Sequence, residues 1–434
     1  MIWKILIREY RYRLGMVSTW VYMVLIAGVA FLVANIEGGA FDGASMGGGS
    51  GEFSISNSPM NIASYSSILF FMFLIAYAAI FGSSAVRDFD NNSYEFHFTK
   101  PIKPSTYLLG KFLGAYLCVA TIALAMIAAM ALGFMMPYLP EYKIGQHQLG
   151  SYMRAYAYLI LPNLLLVGAV CFNVGLLTRK VINSYIAGLG LFFSYLLASL
   201  YLRDVEKLKL AAMLDPLGVS SLGVISRYWT TAQRNVNHIT LNGILGWNRL
   251  LWVSLGLGIM VFTILRFGFR KYQNEGAKEK AKPRKDTPPK LLDYGLGDKV
   301  LKLPYKSWQQ FRHLVWYELK CVIFNRTFLI VMAFFSFFLI IVSLENVGKV
   351  YGTQTHPITI QVLEALIMNY ELFGLIIITF YSGELIWRDK TLRVDQLYDV
   401  TPHYSKVRYF SKLGAIILMQ IILLFIIMLV GMIM

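Results

Sequence analysis

The sequence predicts an all-α polytopic membrane protein carrying an internal duplication, with about six membrane-spanning helices in a first copy and about three in a shorter second one. Three observations lead there. Of the 434 residues, 57% are hydrophobic and only 15% charged, and the mean hydropathy is +0.55; a soluble fold of this size carries charge at about a quarter of its positions. Apolar runs of spanning length recur along the chain, and Lys and Arg gather at the ends of some and avoid others. Finally, a polar elbow returns. Arg87-Asp88, Pro101 and Lys111 share one register with Arg388-Asp389, Pro402 and Lys412, each set lying between two long apolar segments.

The net charge of +16 does not point to nucleic acid, because basic residues clustered at the ends of apolar segments follow the positive-inside rule. Cys118, Cys171 and Cys321 lack metal-ligand spacing and read as small hydrophobes rather than a disulfide framework. The six histidines are scattered without ligand spacing, so no metal is expected.

The chain opens on Trp3, Ile7, Tyr10 and Leu14 at helical spacing beside Lys4, Arg8, Glu9 and Arg11, a basic amphipathic helix suited to the cytoplasmic interface. A signal peptide also starts on charge and an apolar stretch. Here the stretch is long and a similar element recurs, which favours an uncleaved first span over Val17 to Asn35. The loop that follows span one, through Gly38, Gly39 and Pro59, carries the acids Glu37, Asp42 and Glu52 and no Lys or Arg, so it is placed outside the cytoplasm. Its glycines lack the Gly-Lys-Ser/Thr ending of a phosphate loop.

Spans two and three are expected over Ser64 to Val86 and Tyr107 to Met136, with the first elbow between them. The fourth runs over Tyr156 to Leu177 and the fifth over Ser184 to Tyr201. From Arg203 to Trp247 the chain is mixed, and Asp215-Pro216-Leu217-Gly218 is too broken to span, so short, partly re-entrant helices are expected there. A sixth span covers Trp247 to Phe267. Residues 1–269 thus form the first half, and 270–306, rich in Lys, Arg and Pro, form a basic cytoplasmic linker facing anionic lipid. The second half, 307–434, opens with Trp308, Phe311, Val315 and Leu319 at helical spacing and Glu318 in a place comparable to Glu9. Its spans fall at Thr327 to Leu344, Tyr370 to Trp387 and Leu413 to Met434. Both elbows sit beside basic residues, so the copies share orientation, which needs an even number of crossings per copy; the second copy is expected to be truncated.

Six spans per half, an interfacial first helix, an elbow between spans two and three and a broken segment before span six resemble the permease subunit of ABC-2 type exporters. More narrowly, Arg87-Asp-Phe-Asp with Phe98-Thr-Lys-Pro-Ile, and Phe380-Tyr-Ser-Gly-Glu-Leu-Ile-Trp-Arg-Asp with Leu397-Tyr-Asp-Val-Thr-Pro, are similar to bacterial proteins that fuse a duplicated ABC-2 permease to a C-terminal M1 aminopeptidase domain. This chain carries neither His-Glu-x-x-His nor Gly-x-Met-Glu-Asn, so no enzymatic activity carries over. The resemblance implies a bacterial cytoplasmic-membrane permease with a cytoplasmic N-terminus. It also implies ABC ATPase subunits as partners, with ATP bound on them and no cofactor in this chain.

In such exporters the elbow is the surface pressed into the ATPase. The coupling candidates are Arg87, Asp88, Asp90 and Glu95 in the first copy and Arg388, Asp389 and Asp395 in the second; the interfacial helices contribute Trp3, Arg8, Glu9, Trp308 and Glu318. Arg87 and Arg388 also fit plain stop-transfer charges that anchor span ends. Glu384, one turn before Arg388, reads as its i, i+4 partner, and Asn163, Cys171 and Asn173 read as helix-helix contacts or a polar path. A second functional class stays open, a membrane anchor for a fused or associated M1-type aminopeptidase with transport lost. A secondary transporter is less favoured because no central ionisable residue is evident.

Overall fold

The computed structural model describes residues 1–41, 54–91, 93, 102–200, 208–268, 307–346, 349–350, 353–354, 359–391 and 405–433. Glu95, Asp395, most of the Gly38 to Pro59 loop and the linker 270–306 lie outside them. The chain divides into two compact units, Met1–Pro283 and Arg284–Met434. Among the described residues, six helices are long and apolar enough to cross a membrane, or up to eight if each of two bent helix pairs is one crossing. The protein is a multi-pass membrane protein.

In the first unit, α1 (Ile2–Leu14) leads into α2 (Val17–Gly38). Gly39 ends α2 in the left-handed conformation while Ala40 N–H returns to the Asn35 carbonyl, closing the orphan carbonyls. The predicted second span is a broken pair, α3 (Pro59–Met72) and α4 (Leu74–Asp90), bent by 54° at Phe73. Ser58 caps α3 and Pro59 occupies its first turn, where no N–H is missed. Then come α5 (Pro104–Phe134), α6 (Leu149–Thr178) and α7 (Val181–Leu200). Proline at position 162 has no N–H to give, and α6 widens into a π-turn over Tyr156–Ile160 just ahead of it. Three short helices follow, α8 (Leu208–Leu214), α9 (Val219–Ser226) and α10 (Thr231–Val236), before α11 (Ile244–Arg266).

Helix α5 is the spine against which α1 and α2 pack. Between apolar helices in lipid, close approach does what water-driven burial does elsewhere, and small residues permit it. A Cβ on Gly114 would stand 2.6 Å from the Glu9 Cβ, and one on Gly133 would stand 2.7 Å from the Ala34 Cβ. Helix α6 packs on α4, α7 and α11 to complete the unit.

The second unit comprises α12 (Ser307–Ile323), α13 (Arg326–Asn346), α14 (Thr359–Thr391) and α15 (Ser405–Ile433). A ribbon of two two-residue strands, Lys349–Val350 and Thr353–Gln354, is its only described departure from helix. Helix α12 packs on α15, as α1 does on α5.

Candidate functional site

The apolar stripes assigned from sequence face outward on α1 but are divided on α12, where Trp308 is exposed and Val315 and Leu319 are buried. On α1 the buried residues are Leu6, Glu9 and Arg13, while Trp3 is 72% exposed and Ile7 is exposed beside it. Trp308 on α12 is likewise 70% exposed, and Val315, Glu318 and Leu319 are buried. A surface of lipid rewards an outward apolar stripe, so apolarity alone does not mark the packed side. The packed side is the one that carries the acid.

Glu9, 3% exposed, gathers donors from two helices. Its Oε1 accepts from Arg13 Nε at 3.2 Å, Ser84 Oγ at 2.9 Å and Arg87 Nη1 at 3.0 Å, and its Oε2 accepts from Arg87 Nη2 at 2.6 Å. Arg87 thus clamps the carboxylate with both ends of its fork, and its guanidinium lies 4.1 Å over the Tyr12 ring. Burial by itself raises the Glu9 carboxyl, but Lys111, Arg87 and Arg13 outweigh it and hold the group below its ordinary range.

The next residue faces the other neighbour. Asp88 Oδ2 accepts from Lys111 Nζ at 2.7 Å and from the Tyr107 hydroxyl, and Lys111 Nζ reaches Tyr107 Oη at 3.3 Å. Arg87 Nε stands 3.4 Å from Asp88 Oδ1, joining the two pairs. Adjacent residues at the end of α4 therefore brace α1 on one side and the first turns of α5 on the other. Asp88 and Lys111 are 4% and 3% exposed, too dry for stop-transfer charges that act by staying hydrated.

The second unit contains the same residue types in the same relations. Arg388 Nη2 donates to Glu318 Oε2, Lys412 Nζ to Asp389 Oδ2 at 2.7 Å, and Arg388 Nε lies 3.9 Å from Asp389 Oδ1. Arg408, at the register position of Tyr107, donates to Asp389 Oδ2 at 2.8 Å. Glu384 accepts from Asn325 Nδ2 at 3.4 Å, and Arg388 reaches across to α12.

Of the residues singled out from sequence, Glu9, Arg87 and Asp88 meet in one cluster and Glu318, Arg388 and Asp389 in another. Arg8 and Asp90 are exposed at the rim of the first. Sequence reasoning used Lys111 and Lys412 as register marks without seeing them as the partners of Asp88 and Asp389. Tyr107, Ser84, Arg13 and Arg408 were missed; Arg13 was within reach of the i, i+4 rule, since it follows Glu9 by four residues on α1, whereas the acids that Tyr107, Ser84 and Arg408 meet lie on other helices, where no spacing rule applies.

A second polar cluster holds the broken segment. Asn163 on α6 donates to the Leu217 carbonyl at 2.9 Å and accepts from Arg249 Nη1 at 2.5 Å. Asn248 Nδ2 donates to the carbonyls of Ala212 and Asp215, and Asp215 accepts from the N–H groups of Leu217 and Ser220. The chain turns at Gly218 with φ +77°, where a Cβ would lie 2.2 Å from Arg249 Nη2. Asn163 is thus a helix-packing residue. No protein-family model and no curated protein matches this chain.

Proposed function

We propose that the chain is the membrane-spanning permease component of an ABC-2 type transporter, duplicated internally and driven by a separate ATPase. It sits in the bacterial cytoplasmic membrane with its N-terminus and both elbows on the cytoplasmic side. The observation that supports this most is the recurrence, in each unit, of an acid on an amphipathic helix clamped by an arginine. The next residue, an aspartate, is clamped by a lysine on the following span. Burying both ion pairs costs several kcal/mol per ion unless every oxygen is satisfied, so such clusters are kept where a fixed geometry is worth that cost. Here the geometry ties an interfacial helix and two membrane helices into one lever.

On this reading Arg87, Asp88, Arg388 and Asp389 stiffen the lever, and exposed groups around it, Arg8 and Asp90, meet the partner. Rim charges steer association, so reversing them acts on capture without disturbing the core. The test is purification from native membranes in mild detergent, with Arg8→Glu and Asp90→Arg beside the parent. The parent should carry an ATP-hydrolysing chain, and the double variant should insert at parental yield and lose about tenfold of that activity. A parent that brings down no ATPase, or a variant that keeps it in full, overturns the proposal; a peptidase in its place would favour the tethering role.

A further inference from the structure

The two braces share their charges but not the seats beneath them. The packed side of α1 carries Glu9 and Arg13 beside Leu6, whereas that of α12 is Val315, Leu319 and Val322 around the acid Glu318. Setting Glu9 on Glu318 places Tyr10 on Leu319 and Arg13 on Val322, and the elbow register places Ser84 on Leu385. In the first unit these positions tie α1 to its neighbours. Arg13 Nη1 donates to Ser83 Oγ at 2.8 Å, Ser84 Oγ to Glu9 Oε1 at 2.9 Å, and Tyr10 Oη meets Thr121 Oγ1 at 3.2 Å. Val322, Leu385 and Leu319 have no polar side-chain group with which to repeat them.

The backbone approach differs as well. A Cβ on Gly110 would stand 2.7 Å from the Ile5 Cβ, and one on Gly114 would stand 2.6 Å from the Glu9 Cβ. In the elbow register Ser411 and Ala415 occupy those places, and each has the Cβ that so close an approach excludes. Helix α12 passes instead over Gly414, where a Cβ would meet the Val315 side chain, at Cγ2, 3.1 Å away.

Acyl chains solvate Val, Leu and Phe as well as a protein seat does, so apolar packing alone holds a helix weakly in lipid. Charged side chains have no such alternative, and α1 is held where its donors are. Helix α12 divides differently. Phe311, Val315, Leu319 and Val322 make one stripe, and Gln309, His313 and Lys320 are exposed on the opposite side, the arrangement that lets a helix lie in a bilayer interface unaided. We propose that α12 is a latched helix: the Glu318–Arg388 pair holds it on α15, and opening the pair lets it leave for the bilayer interface, while α1 stays docked. Glu318 then exchanges its arginine for water. The Arg388 side chain is 20% exposed, so an acidic group arriving from solution competes with Glu318 for it. The inference does not rest on an ATPase.

The test is double electron–electron resonance on the full chain in lipid nanodiscs, in a background lacking Cys118, Cys171 and Cys321. One nitroxide pair, on His313→Cys and Met428→Cys, spans α12 and α15; the matching pair, on Lys4→Cys and Leu124→Cys, spans α1 and α5, and all four positions are exposed. Each pair should give a single narrow distance in the parent. Arg388→Ala should move about half of the first pair to longer, broader distances, about a tenfold rise in the displaced population, whereas Arg87→Ala should leave about 90% of the second pair in place. An unmoved first pair, or a second pair displaced as far by Arg87→Ala, overturns the inference. Should Arg388→Ala not fold, Glu318→Gln decides. It removes the charge from the other side of the latch and leaves Arg388 beside Asp389, so the displaced population must rise about threefold, and an unchanged value overturns the assignment.

Discussion

The brace between α1 and α4 should behave as a coupled unit. The perturbation is a double-mutant cycle on Glu9→Gln and Arg87→Ala. Glu9 is 3% exposed and takes two hydrogen bonds from Arg87, at 3.0 and 2.6 Å. Truncating one member of a buried pair costs about 3 to 5 kcal/mol when the survivor is left alone. Here Arg13 and Ser84 still hold Glu9, and Arg87 is 20% exposed on its side chain, so Arg87→Ala should cost about 2 to 3 kcal/mol. Glu9→Gln should cost about 2 kcal/mol, because it leaves Arg87 and Arg13 beside a neutral amide. The double variant should fall short of the sum by about 1.5 kcal/mol or more, since the second change removes a partner already lost. The assay is reversible unfolding in mixed micelles titrated with sodium dodecyl sulfate, with exposed Arg8→Ala as a control expected within about 0.5 kcal/mol of the parent. Additivity to within about 0.5 kcal/mol would mean that the two side chains do not work together and that the brace is only a drawing.

Gly114→Val should unseat α1, because a Cβ there meets Glu9 Cβ at 2.6 Å and Leu6 O at 2.9 Å. Hydrogen exchange should rise across Ile2–Leu14 while α6 and α7 keep their protection, and unchanged exchange in α1 would contradict the packing. The proposed orientation is checked in a background lacking Cys118, Cys171 and Cys321. Gln146→Cys, exposed between α5 and α6, should label in intact cells, and Arg8→Cys only after permeabilisation; the reverse pattern would invert the topology.

Apolar length is a local property, so most of the spans were legible from the residues themselves. Val17 to Asn35 falls on Val17–Gly38, Tyr107 to Met136 on Pro104–Phe134, and Trp247 to Phe267 on Ile244–Arg266. Broken character at Asp215-Pro216-Leu217-Gly218 was equally readable, since Pro and Gly cannot continue a helix or strand there. The break at Phe73 was not, because neither residue marks it and the run around it is as apolar as an unbroken span. The side of α1 that packs was also hidden. A stripe of Trp3, Ile7, Tyr10 and Leu14 and a stripe of Leu6, Glu9 and Arg13 have the same period, and only the glycines of α5 and the arginine of α4 decide between them. In lipid an apolar face has a solvent already, whereas a buried carboxylate has none until another helix supplies its donors. Composition and hydropathy therefore determined that the chain spans a membrane, and placed six of the crossings; Ser64 to Val86 and Thr327 to Leu344 fall instead in bent pairs, and Tyr370 to Trp387 falls on none of the candidate spans. Which charges are spent inside the protein, and which remain at its surface, was decided by contacts between helices whose residues stand from 23 to 78 positions apart, a separation over which sequence spacing carries no geometric information.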